Sequence, residues 1–361
     1  MRIERYFAAE CAVLALGLAG AGLAIRAAAR HAFAHRSDPR AFAEREAQAT
    51  PIPSPRLAEP DPLRARGLDT TKESAGTFMG MEDDFLIARL RSQPITRMKF
   101  NKGGSSLSFR VDFADGSRAA FKPAQTNLQT IPRKEVAAYR LNRLLGIGAV
   151  APATPRLLSR SEMFDHLHPE TAAMLPRIRA ETIFDPRGNT AGVMMFWIPT
   201  IKDAGLDTPE GIQRSTQWLS RGQTIPASKH AVAAQVSDML VFDFLADNPD
   251  RYSGGNIMTN EDGSRLYFMD NTMAFFIEPE GNDKTRTALH RVQRFSGRLY
   301  RALERISEDA LAQVMAQASE GEYEILTKPE IRMVVARRDY VRRYIDGLVS
   351  AYGAAEVLYF P

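Results

Sequence analysis

The stretch Leu240-Val-Phe-Asp-Phe-Leu-Ala-Asp-Asn-Pro-Asp-Arg-Tyr-Ser-Gly-Gly-Asn256 constrains this chain more than any other. An apolar helical run meets a polar turn carrying Asp250, Arg251 and Asn256, and a short hydrophobic strand, Leu266 to Met269, then delivers Asp270. Phosphoryl transfer needs such a pair of carboxylates. One orients or deprotonates the acceptor hydroxyl, and the other holds the divalent metal that neutralises the triphosphate. Upstream, Ala120-Phe-Lys-Pro123 ends an expected strand, and Glu135 stands in the first turns of an expected helix. Lys122, Glu135, Asp250, Asn256 and Asp270 follow the order in which a kinase carries these groups.

The flanking pattern supplies the parts around them. Leu107, Phe109, Val111 and Phe113 alternate with Ser108, Arg110 and Asp112, as a half-buried strand requires, and Asp115-Gly116 turns the chain into Arg118 to Lys122. Gly103, Gly104 and Ser105 lie at the tip of the preceding hairpin, where a backbone without Cβ atoms lets amides approach phosphate oxygens. Pro132 to Leu145 reads as a helix closed by Gly146. A Lys on a strand and a Glu on the next helix form the ion pair that positions the α- and β-phosphates. Thr190 to Pro199 reads as a buried strand running into a hinge, with Met194 to Trp197, Met195 and Phe196 above all, as the adenine platform.

Phe121-Lys122-Pro123, Lys134-Glu-Val-Ala-Ala-Tyr-Arg-Leu-Asn-Arg-Leu-Leu-Gly146, Ala151-Pro152, Phe242 to Arg251 and Asp270-Asn271 resemble the secretory-pathway kinases of the four-jointed and Golgi casein kinase group. The same pieces are shared more loosely with bacterial phosphatidylinositol 3- and 4-kinase-like proteins and HipA-type kinases. The resemblance spans Lys99 to Phe276. Related kinases place the Asn or Glu metal ligand five residues after the catalytic Asp; here Gly255 holds that place and Asn256 comes one later. The metal-binding Asp is usually followed by Asn-Gly; here Asp270-Asn271 is followed by Thr272.

Later helices are expected over Lys229 to Ala246, Thr285 to Ile306, Ser307 to Gln317 and Thr327 to Tyr352, the last opened by the capping box Thr327-Lys-Pro-Glu330. Arg332, Arg337, Arg338, Arg342 and Arg343 make that helix basic, which reads as a solvated face. Asp243 and Asp247 read as local structure at a helix end, and Arg251 as the partner of a neighbouring carboxylate.

Lys and Arg number 47 against 43 Asp and Glu, so the chain carries no nucleic-acid signal. The single Cys11 excludes an intramolecular disulfide. No His spacing, Cys cluster, Walker motif or nucleophile elbow supports a zinc, P-loop or serine-hydrolase reading.

Phe7 to Ile25 is apolar apart from Glu10. Single-pass anchor, cleaved signal peptide and amphipathic helix all fit it, with Arg26 favouring the anchor. More Arg residues follow it than precede it, which places the catalytic domain in the cytoplasm under the positive-inside rule, with a secreted or lumenal site as the alternative.

The expectation is an α+β, two-lobed protein-kinase-like fold, with a small β-rich N-lobe bearing one key helix and a larger, mainly α-helical C-lobe. Residues 1–30 are the apolar helix, 31–80 a Pro-rich tether, 81–199 the N-lobe and 200–361 the C-lobe. The partners expected are ATP with Mg²⁺ or Mn²⁺, a hydroxyl acceptor on a protein, lipid or glycan, and a membrane through the first helix. A pseudokinase and an AMP-transferring enzyme of the same fold remain alternatives.

Overall fold

The structure is a computed structural model in which residues 76–316 and 324–361 are described. A short hairpin, β1 (Thr77–Phe78) with β2 (Met81–Glu82), leads into α1 (Asp83–Ser92). An antiparallel five-stranded sheet follows, ordered β3 (Ile95–Phe100), β4 (Phe109–Phe113), β5 (Arg118–Pro123), β7 (Asn189–Phe196), β6 (Ala153–Ser159). The alternation of β4 is real: Phe109, Val111 and Phe113 are buried, and each such side chain contributes about 1.5–3 kcal/mol. Helix α2 (Arg133–Leu144) connects β5 to β6, and Gly146 ends it with φ 70°. Between β6 and β7 lie α3 (Arg160–Asp165) and α4 (Leu175–Glu181), an insertion the sequence pattern had not marked.

Past the sheet, β8 (Lys202–Asp203) pairs with β9 (Ile257–Thr259), and β9 with β10 (Leu266–Phe268). The rest is helical: α5 (Pro209–Leu219), α6 (His230–Ala246), α7 (Asp283–Leu289), α8 (Gly297–Ala302), α9 (Glu308–Ala316) and α10 (Lys328–Tyr352). Because α6 is apolar on nearly every side, it runs through the core, burying Val236, Met239, Phe242 and Leu245. Asp247 caps it in the left-handed conformation, φ 51°, which Asp and Asn tolerate better than most residues.

The helix expected over Thr285 to Ile306 is broken at His290 to Ser296. There the backbone leaves the helix to pair with the chain's last residues: Phe295 N–H donates to Val357 O at 2.7 Å, and Phe360 N–H to Phe295 O at 3.0 Å. The reading of α10 as a basic solvated face also needs correction. Arg337 is fully buried and donates to Leu245 O (2.8 Å), Phe276 O (3.0 Å) and Glu278 O (2.8 Å). Burial lowers its pKa to about 10, against the pull of Asp247 and Glu278. The capping box at Thr327 and Glu330 forms as expected.

The apolar segment Phe7 to Ile25 and residues 31–75 of the expected tether lie outside the described residues, whereas residues 76–80, also assigned to the tether, are described and include β1, with Phe78 buried. Among the described residues no helix is long and apolar enough to cross a membrane. The placement as a membrane-anchored, single-pass protein with a cytoplasmic catalytic domain is withdrawn on that finding.

Candidate functional site

Strand β5 carries Lys122 next to its last residue, with its side chain almost wholly buried. Its Nζ donates to Glu135 Oε1 at 2.8 Å and to Asp270 Oδ1 at 2.9 Å. Three residues far apart in sequence therefore meet at one ammonium group. Burial alone would lower the Lys122 pKa, but the carboxylates of Asp270 and Glu135 push it up. Glu135, in the first turn of α2, spends its other oxygen on the loop after β10: Oε2 accepts from Asn271 N at 3.0 Å and Asn271 Nδ2 at 3.2 Å. The helix is thus tied at once to the strand bearing Lys122 and to the loop bearing Asp270.

Asp270 adopts φ 47°, so the chain turns sharply there and sends its carboxylate towards Lys122. Burial opposes ionisation, yet the Lys122 ammonium, with donors from Thr272, holds the pKa down at about 2. Thr272 Oγ1 donates to Oδ1 at 2.7 Å. Since Oδ1 takes these bonds and the side chain keeps 35% exposure, Asp270 retains capacity for a further ligand.

The turn after α6 is organised by Arg251. Its fork grips Asp243, and it also donates to Asn256 O (2.9 Å), Met269 O and Asn271 Oδ1 (2.8 Å). The expectation that Arg251 pairs with a neighbouring carboxylate holds, and the partner is Asp243. Asn256 Nδ2 donates to Asp250 O at 2.8 Å, closing the turn on which the half-buried Asp250 sits. Asn248 links the two loops: its Oδ1 accepts from Asp250 N at 3.1 Å, and its Nδ2 donates to Asn271 Oδ1 at 3.3 Å. Asp247 anchors the far end of the segment after Asp270, accepting from Asn282 N and Thr285 Oγ1, both at 2.9 Å.

Gly103, Gly104 and Ser105 occupy the β3–β4 loop, but the bonds that hold it run sideways: Ser105 O accepts from Arg177 Nη2 of α4 at 2.6 Å and from Asn127 Nδ2 at 3.4 Å. Met195 pairs across the sheet with Ala120, two residues from Lys122, so it shares the Lys122 face. Phe196 points to the opposite face and packs edge-on against Phe78, with ring centroids 5.8 Å apart. Only Met195 of the two shares the face of Lys122, because strand parity separates neighbours.

The pattern had missed Asn248 and Thr272 as supports. Asn248, two residues before Asp250 in a run of polar turn residues, was a readable signal. The role of Thr272 depends on the left-handed turn at Asp270, which the sequence does not announce.

Among the described residues, no group of three or more His, Cys, Asp or Glu side chains gathers as a metal site. One carboxylate from Asp270, the amide oxygen of Asn256, phosphate oxygens and water nonetheless suit Mg²⁺ or Mn²⁺, which bind nucleotides through few protein ligands.

Comparison with solved structures places the fold. The Golgi casein kinase matches at TM-score 0.57 and 17% identity, over 76% of this chain and 78% of that chain. The same kinase with Mn and ADP bound matches at 0.59 and 16%, over the same shares. This chain has the kinase-like fold of the Golgi casein kinase. Hydra Fam20 with sugar matches at 0.58 and 17%, over 79% of this chain and 95% of that chain. No protein-family profile and no curated protein sequence matches the chain.

Proposed function

We propose that the protein is an ATP-dependent kinase that transfers the γ-phosphate to a hydroxyl, on a protein in the first instance. The meeting of Glu135 and Asp270 on Lys122 Nζ, at 2.8 and 2.9 Å, carries this reading. It brings the phosphate-holding cation, its orienting acid and a metal-ready carboxylate to one point. The Mn/ADP complex of the Golgi casein kinase supports nucleotide and metal use, and that neighbour's name favours a protein acceptor. The sugar in the hydra relative makes a glycan the second choice.

In this reading Lys122 holds the phosphates and Glu135 keeps it aimed. The Gly103-Gly104-Ser105 loop covers the phosphates, and the adenine lies against Met195 and the backbone of Phe196. Asp270 and Asn256 hold the metal, which neutralises charge on the phosphates when bound. Asp250 accepts a hydrogen bond from the acceptor hydroxyl and takes its proton as the phosphate moves.

Asp270→Ala should abolish the gain in ADP affinity that Mn²⁺ brings while the protein still melts cooperatively. Undiminished Mn²⁺-dependent affinity in that variant contradicts the assignment.

A further inference from the structure

The hydroxyl that Asp250 holds in this structure belongs to the chain itself. Ser253 Oγ donates to Asp250 Oδ1 and to the carbonyl of the same residue. This is the contact a phosphate acceptor makes with a kinase base.

The surrounding turn lets the serine serve as one. Its ends are fixed, by the Arg251 grip on Asp243 and Asn256 O and by Asn256 Nδ2 on Asp250 O. Its tip is open to solvent. Ser253, Gly254 and Gly255 are exposed, both glycines have positive φ (93° and 71°), and no atom lies within 4 Å of where a Cβ would stand on either. Two glycines in succession let the tip change conformation at little steric cost. They are also what carries Asn256 one position beyond the usual spacing.

We propose that Ser253 is an internal acceptor, phosphorylated by its own active site in cis. The inference rests on the kinase reading above. Ser253 Oγ attacks the γ-phosphorus of ATP, and a new O–P bond forms as the bond to the β-phosphate oxygen breaks. ADP leaves with that electron pair, and the serine proton passes to Asp250. The product, a phosphoserine carrying close to two negative charges, stands beside the carboxylate that formed it.

The test uses the full chain with γ-labelled ATP and Mn²⁺, with and without casein as an added acceptor, and mass spectrometric mapping that separates Ser253 from Tyr252. The expected result is phosphate on Ser253, at a rate per molecule unchanged by dilution. It should be lost in Ser253→Ala and Asp250→Ala and kept in Ser253→Thr. Label on casein with none on Ser253 overturns the inference and leaves the kinase reading standing. A Ser253→Ala protein that phosphorylates casein faster, when the wild type carries no phosphate on Ser253, shows that the serine only caps the base and also overturns it. Label on Ser253 that rises with protein concentration overturns transfer in cis. Transfer to neither chain nor casein removes the kinase reading and this inference together.

Discussion

Arg251 grips Asp243 through both sides of its guanidinium fork, Nε to Oδ2 at 2.9 Å and Nη2 to Oδ1 at 2.9 Å, with both side chains buried. The same guanidinium bonds the carbonyls of Asn256 and Met269 and the amide of Asn271. One side chain therefore sets the position of the Asp250 turn relative to the Asp270 loop, and α6 supplies the counter-charge that lets it stay buried.

Asp243→Ala leaves that guanidinium unpaired in the core, and breaking a buried pair from one side costs about 3–5 kcal/mol. Urea unfolding should show a loss of that size, accompanied by weaker Mn²⁺-dependent ADP binding. Arg251→Lys keeps the charge but not the fork, so it should lower nucleotide affinity as well. Wild-type stability in Asp243→Ala would show that the pair does not hold the site together.

Arg337 plays a similar part from α10, serving the carbonyls of Leu245, Phe276 and Glu278. Arg337→Met strands these acceptors, at about 1–3 kcal/mol for each one that stays buried without a partner. The melting temperature should fall, and amide exchange should speed up in the segment after Asp270. Unchanged exchange there would contradict the role given to Arg337.

A pH effect is expected at Asp238 on α6. Burial pushes its carboxyl up to about 7, although Arg298 and Arg265 oppose this and Arg298 Nη2 donates to Oδ2 at 3.2 Å. The folded value lies above the unfolded one of about 3.9. The contribution to stability is therefore full below about pH 4 and is lost as pH rises through about 7. Asp238→Asn should melt higher than wild type at about pH 8, with the advantage vanishing near pH 4. A difference independent of pH would rule this out.

Much of the fold was legible because its elements carry strong local patterns. Phe109, Val111 and Phe113 alternate, Gly146 closes α2, and Thr327 with Glu330 opens α10. The core of the candidate site was legible too, since Lys122, Glu135 and Asp270 follow motif order and do converge. What escaped depends on tertiary placement. Whether Met195 or Phe196 shares the face of Lys122 turns on sheet parity, and Arg337 looks like any surface arginine until three carbonyls are found around it. The break at His290 to Ser296 arises because residues as distant as Val357 and Phe360 offer the backbone another partner.

The most direct measurement of the central claim is transfer from γ-labelled and α-labelled ATP with Mn²⁺, made alongside ADP affinity, for wild type, Lys122→Met and Asp250→Ala. The account predicts γ-label transfer by wild type and loss of both affinity and transfer in Lys122→Met. Asp250→Ala should keep Mn²⁺–ADP affinity while its rate falls by about 10²–10⁴, the usual worth of a positioned base. Transfer of the α-label, absence of transfer by wild type, or an Asp250→Ala rate above roughly a tenth of wild type, less loss than a base allows, would contradict it.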